Sequence, residues 1–108
     1  MTTDEQLHEA ASMAGLIDYQ PGTVASRTIV KGKTGTVTVF AFDQGEELSE
    51  HTAPFDALVH VIDGQAEITI DGQPHALEAG EMIVMPADRP HAVRAVQKFK
   101  MVLVMIRS

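Results

Sequence analysis

The chain of 108 residues contains no cysteine. That absence excludes disulfides, thiolate metal ligands and a cysteine nucleophile together, so any metal chemistry would have to rest on histidines and carboxylates. Basic residues are scarce as well: 8 Lys and Arg face 15 Asp and Glu, a formal net charge of −7. A surface of that sign repels phosphate backbones, which argues against nucleic acid as a partner. No stretch approaches the roughly 20 apolar residues that a membrane span requires. The start, Met1-Thr2-Thr3-Asp4-Glu5, carries early acids and no apolar run, the wrong pattern for a secretory or transit signal. The expectation is a cytoplasmic protein with no membrane partner. Linker-like Pro/Gly/Ser stretches and internal repeats are missing too, and with 44% hydrophobic and 21% charged residues the composition is that of one ordered domain.

Two grammars share the chain. Thr3 with Gln6 has the spacing of a capping box, and Leu7, Ala10, Ala11 and Ala14 recur at helical spacing before Gly15. This predicts a short helix within an N-terminal extension over residues 1–20. Its face is mostly alanine, buries little area, and suits an accessory lying on the main domain or on a partner subunit.

From Val24 the pattern turns to β, giving a domain over 21–108. Runs over 24–30, 36–42, 57–62, 66–70, 82–85 and 100–106 are separated by Lys31 to Gly35, Asp43-Gln44-Gly45, Asp63-Gly64, Asp71-Gly72, Ala79-Gly80 and Ala87 to Pro90. Many short, closely spaced strands imply an all-β sandwich or barrel. Runs such as Leu58-Val59-His60-Val61-Ile62 are apolar on both faces. One face can fill a barrel while the other meets a second sheet or a second subunit, which predicts a homodimer.

The segment Gly45-Glu46-Glu47-Leu48-Ser49-Glu50-His51-Thr52-Ala53-Pro54, continued to Gly64, resembles the first motif of the cupin family: Gly, five residues, His-x-His, three or four residues, Glu, six residues, Gly. Gly80 to His91 resembles the second: Gly, five residues, Pro-x-Gly, two residues, His. Asp88 stands where that motif has glycine, at a position where Asp tolerates a left-handed backbone. The resemblance implies a double-stranded β-helix, or jelly-roll barrel, of the RmlC-like cupin type. It also implies an interior divalent metal (Fe, Mn, Ni, Cu or Zn) held by two histidines and a glutamate of the first motif and one histidine of the second.

In this chain His51 matches the first histidine and His91 the last. Ala53 occupies the second histidine position and Ala57 the glutamate position. First-row metals at protein sites usually have three or more protein ligands. A third could come from His60, although strand alternation puts it on the face opposite Ala57, with Leu58 and Ile62, unless a bulge intervenes. The expected pocket is therefore faced by His51, His91, Ala53, Ala57, Met85 and Met101, with His51, His91 and His60 as candidate ligands.

Blander roles stand beside these. His51 and His91 could be hydrogen-bonded pocket imidazoles without metal, His60 an interface residue, and His8 and His75 surface residues. Met82, Met85, Met101 and Met105 read as adaptable core packing. Asp43, Glu46, Glu47 and Glu50 read as a solvated acidic loop, and Arg89 and Arg94 as surface cations beside His91. Three functions remain open: a metal-dependent enzyme acting on a small molecule, a non-catalytic small-molecule binding or sensing module, and a metal-free His acid–base isomerase or decarboxylase.

Overall fold

A computed structural model describes residues 2–3 and 5–107, with side chains from residue 7 onward. The strands, in chain order, are β1 (Thr2–Thr3), β2 (Val24–Lys31), β3 (Gly35–Phe42), β4 (Glu47–His51), β5 (Asp56–Ile70), β6 (Gln73–Glu78), β7 (Met82–Met85), β8 (His91–Arg94) and β9 (Phe99–Ile106). All pairings are antiparallel. One sheet runs β1-β2-β3-β9-β5-β7 and the other runs β6-β5-β8-β4, so β5 belongs to both and the surface curls into the expected β barrel.

The Asp63-Gly64 pair, expected as a break, lies inside β5. A bulge between Val61 and Asp63 and a left-handed Gly64 at φ +76° redirect the strand without ending it. Residues before Gly64 pair with β7 and β9, and residues after it pair with β6 and β8. The inner faces of both sheets then close on one core: Ala57, Val59 and Val61 from the first half of β5, Ala66 and Ile68 from the second, with Phe42 stacked on Phe99 at a centroid distance of 4.5 Å. The hairpin joining β5 to β6 turns at Asp71 and Gly72, both left-handed, the geometry a two-residue antiparallel turn requires.

The N-terminal helix is a correction. Residues 5–16 hold two 3-10 turns, Glu5–His8 and Ala14–Leu16. The Thr3/Gln6 capping pair lies outside the residues whose side chains are described. An alanine face that buries little area cannot offset the cost of nucleating a helix. The chain instead leaves the second turn extended at Ile17 and lays Leu16, Ile17 and Tyr19 on the outer side of the larger sheet, against Val39, Ala41, Ala25, Ile29 and Ile62. Two carbonyls there accept side-chain donors from the sheet: Lys100 Nζ donates to Ala14 O (2.7 Å) and Arg27 Nη1 to Leu16 O (3.2 Å). Tyr19 donates to Asp63 (2.5 Å) and lies 4.9 Å from both Lys98 and Lys100 Nζ. Burial, followed by this bond to Asp63, holds its phenol in the neutral form. Among the described residues no helix is long and apolar enough to cross a membrane.

Candidate functional site

Strand alternation alone would not put Leu48 and His51 on the same face, because they are three residues apart. A bulge in β4 resolves this: Leu48 pairs with Val93, and after an extra residue His51 pairs with His91. Both histidines therefore reach the space between the sheets, His51 exposed at its mouth and His91 buried beside it. The space is a cavity of about 70 Å³ lined by Leu48, His51, Ala53, Ala57, Met85, His91, Val93, Met101, Leu103 and Met105. Pockets for drug-sized ligands start near about 300 Å³, so this one encloses only a very small group, and the rest of a larger ligand would extend out past exposed His51.

The two imidazoles are oriented by the backbone. Nδ1–H of His51 donates to Ser49 O (2.8 Å) and Nδ1–H of His91 to Arg89 O (3.1 Å). A carbonyl oxygen only accepts, so Nδ1 carries a proton in both rings, and when a ring is neutral its Nε2 presents a lone pair. Those two Nε2 atoms lie 3.1 Å apart, with the ring planes 70° from parallel. The turn carrying Arg89 O is itself held: Asp88, left-handed at φ +62°, donates its N–H to Ala53 O (2.8 Å), and Ala87 N–H donates to Asp56 (2.9 Å). Burial above all, then the like charge of His51, lowers the pKa of His91 from its ordinary value, against the opposing bond to Arg89 O.

The structure thus brings together His51, His91, Ala53, Ala57, Met85 and Met101. It does not bring His60 to them. Ala57, Val59 and Val61 point inward along β5, whereas His60 lies on the other face between Met82 and Val102. The bulge that might have turned it inward occurs only after Val61, past the position that mattered. Among the described residues no group of three or more His, Asp or Glu side chains converges anywhere. Ala53 and Ala57 line the cavity with methyl groups where the family motif has an imidazole and a carboxylate. The four-ligand nitrogen and oxygen centre of the motif does not fit this chain.

Charged neighbours are engaged elsewhere. Asp43 accepts from the Gly22 and Gln44 N–H groups, which lowers its pKa. Arg89 pairs with Asp71, and Arg94 lies 3.5 Å from Glu67. None of these, nor Glu46, Glu47 or Glu50, lines the cavity. Leu48, Val93 and Leu103 were not foreseen as lining, and Met105 was foreseen only as one of four methionines of which two or three at most would line a cavity. Their only sequence signal is apolar character, which core and pocket share. A larger shallow trough of about 260 Å³ beside the β2–β3 turn is lined by Val30, Thr36, Val104, Ile106 and neighbours, and contains no titratable group.

Residues 38–107 match the family model described as a cupin domain. A conserved protein of unknown function from Streptococcus pyogenes superposes with a TM-score of 0.89 at 37% identity, over 93% of this chain and 88% of its own. A cupin 2 conserved barrel domain protein from Leptotrichia buccalis gives 0.84 at 39% identity, over 87% of this chain and 46% of its own. The polyketide synthase CurC of Streptomyces cyaneus is 29% identical over 75 residues, 68% of this chain and 49% of that relative. This chain spans about half of that relative's length.

Proposed function

Because this chain belongs to the cupin domain family, we propose that it binds one small molecule in the chamber between its two sheets, with the His51–His91 pair as the polar end of the site. One observation carries the reading: the two Nε2 atoms lie 3.1 Å apart while both Nδ1–H groups are committed to carbonyls. Two acceptors so placed need a donor or a cation between them. Apart from the methionine sulfurs, which are weak acceptors, the other lining residues are hydrocarbon, so the pair is the part of the lining that can anchor a polar donor. The chemistry favours a compact molecule carrying an O–H or N–H donor, such as a hydroxy acid, an enol or a phenol.

A second reading follows from His91. Its lowered pKa keeps it neutral at pH 7, so a donor that hydrogen-bonds to the pair faces a base within reach. Proton abstraction from carbon, as in an isomerase, would use the same two atoms.

Thermal unfolding with a panel of small hydroxy acids, keto acids and phenols, in the presence of a strong chelator, tests the binding reading. A stabilising compound should lose its effect in His51→Ala. Stabilisation equal in the variant and the parent would overturn the assignment of the pair. For the base reading, exchange of the bound compound's acidic C–H with deuterium from solvent should be fast in the parent and slow in His91→Gln.

A further inference from the structure

The donors that face the lost carboxylate position are not oxygens. On the larger sheet Ala57 is paired on one side with Met85 and on the other with Met105, so three neighbouring strands present Met85, Ala57 and Met105 side by side on the inner face. Directly opposed residues in an antiparallel pair share a face. Met101, the partner of Val61, lies further along the same wall, and all three methionines line the cavity that His51 and His91 enter. The motif's hard oxygen ligand has been replaced by a methyl group flanked by thioethers.

Three physical points then select one class of ligand. Two ring nitrogens about 2.0–2.1 Å from a common ion and 3.1 Å apart subtend roughly 100° at it. Two-coordinate linear binding would need about 4 Å between them, so the observed separation leaves further coordination positions open in a cavity whose lining includes three methionines. Every lining group is neutral when His51 and His91 are unprotonated, so the site would bear the whole charge of the ion. The cost of burying that charge rises with its square and weighs against a divalent ion. Finally, thioether sulfur is a soft donor, which selects Cu(I) over Zn(II), Mn(II) or Fe(II).

The geometry points to a Cu(I) site formed by Nε2 of His51 and His91 with thioether sulfur from Met85 or Met105. It rests on the reading of this pocket as the functional site, and it replaces the divalent centre of the family motif with a monovalent, sulfur-containing one.

The test uses the full untagged chain, titrated anaerobically with Cu(I) against a chromophoric Cu(I) chelator, and in parallel with Zn(II), Mn(II) and Fe(II). The expected result is one tightly held Cu(I) per chain, absent in His51→Ala, with no comparable retention of the divalent ions. Met85→Leu combined with Met105→Leu preserves apolar volume and should preserve the fold. It should weaken Cu(I) by more than about tenfold, the lower end of what loss of an outer-shell partner alone costs a metal site. The sulfur shell in the copper X-ray absorption spectrum should vanish in the same variant. Cu(I) affinity unchanged by the double substitution, or a divalent ion held at least as tightly, would overturn the proposal. Failure of every ion to bind in a His51-dependent way would also overturn it, and chelator-resistant stabilisation by an organic ligand would then still uphold the pocket reading.

Discussion

Gly64→Ala should be among the most destabilising single-methyl additions available to this chain. The backbone at Gly64 is left-handed, and a Cβ there costs about 1–2 kcal/mol before any contact is considered. The added carbon would also come within 2.0 Å of Lys98 O and 2.8 Å of Phe99 Cα, backbone atoms that no rotamer change can move aside. Relief requires β9 to retreat where Gly64 pairs with Phe99. Phe99 is fully buried and stacked on Phe42, and complete truncation of a buried Phe costs about 3–5 kcal/mol, so even partial unseating forfeits a substantial part of that. The loss should reach at least about 3 kcal/mol, out of a total that rarely exceeds about 15 kcal/mol. Urea denaturation followed by circular dichroism measures it. Gly72→Ala is the control, because Gly72 is equally left-handed at φ +78° but has nothing within 4 Å of the added carbon. Its loss should stay at the backbone term of about 1–2 kcal/mol. If the two variants lose the same amount, the close approach of β5 to β9 is not what demands glycine at this position.

Acidification acts through His91. Its folded pKa lies below the unfolded value, so the unfolded chain binds more protons as pH falls, and the contribution present above about 6.5 is lost as pH drops through the folded pKa. Urea midpoints should fall between about pH 7.5 and 5.5, contributing no more than about 1.4 kcal/mol per pH unit from this group, and the slope should flatten in His91→Gln. An unchanged slope in that variant would remove His91 as its source. On the outer face, Met82 is 50% and Val84 46% exposed beside half-buried Leu58 and Val104, a row suited to a second copy of the chain. Light scattering should show a dimer that Val84→Glu converts to monomer, and a monomeric parent would end that expectation. Restoring the motif with Ala53→His and Ala57→Glu should create retention of Zn(II) or Mn(II) through desalting that the parent lacks, measured by elemental analysis. Equal retention by parent and variant would show that two imidazoles already suffice.

Much of the barrel was legible because its strands announce themselves locally. Val24 to Lys31, Gly35 to Phe42 and Phe99 to Ile106 are dense in β-branched and apolar residues. β4, β6 and β8 are short and carry polar or exposed residues such as Glu47, Ser49, Gln73 and Arg94, so nothing in their periodicity marks them. They exist because neighbouring strands offer them hydrogen bonds. The apparent helix failed for the converse reason: its spacing was correct, but its alanine face had little to bury, and Ile17 and Tyr19 gained more from an extended run on the sheet.

The sequence by itself determined the fold class, the glycine at Gly64, and the presence of His51 and His91 with methyl groups at Ala53 and Ala57, because these depend on residue identity at fixed spacing. Parity set His60 on the face away from Ala57, but because a bulge can reverse parity His60 stood as a candidate ligand, and only the strand register showed that the bulge comes after Val61. Only the tertiary structure decided that the β4 bulge turns His51 onto His91, that carbonyls at Ser49 and Arg89 engage both Nδ1 atoms and leave the Nε2 atoms 3.1 Å apart, and that Met85 and Met105 flank Ala57. Each of these is a register relation between strands distant in sequence. Register follows from which partners hydrogen-bond across the sheet, and no local pattern in one strand specifies it.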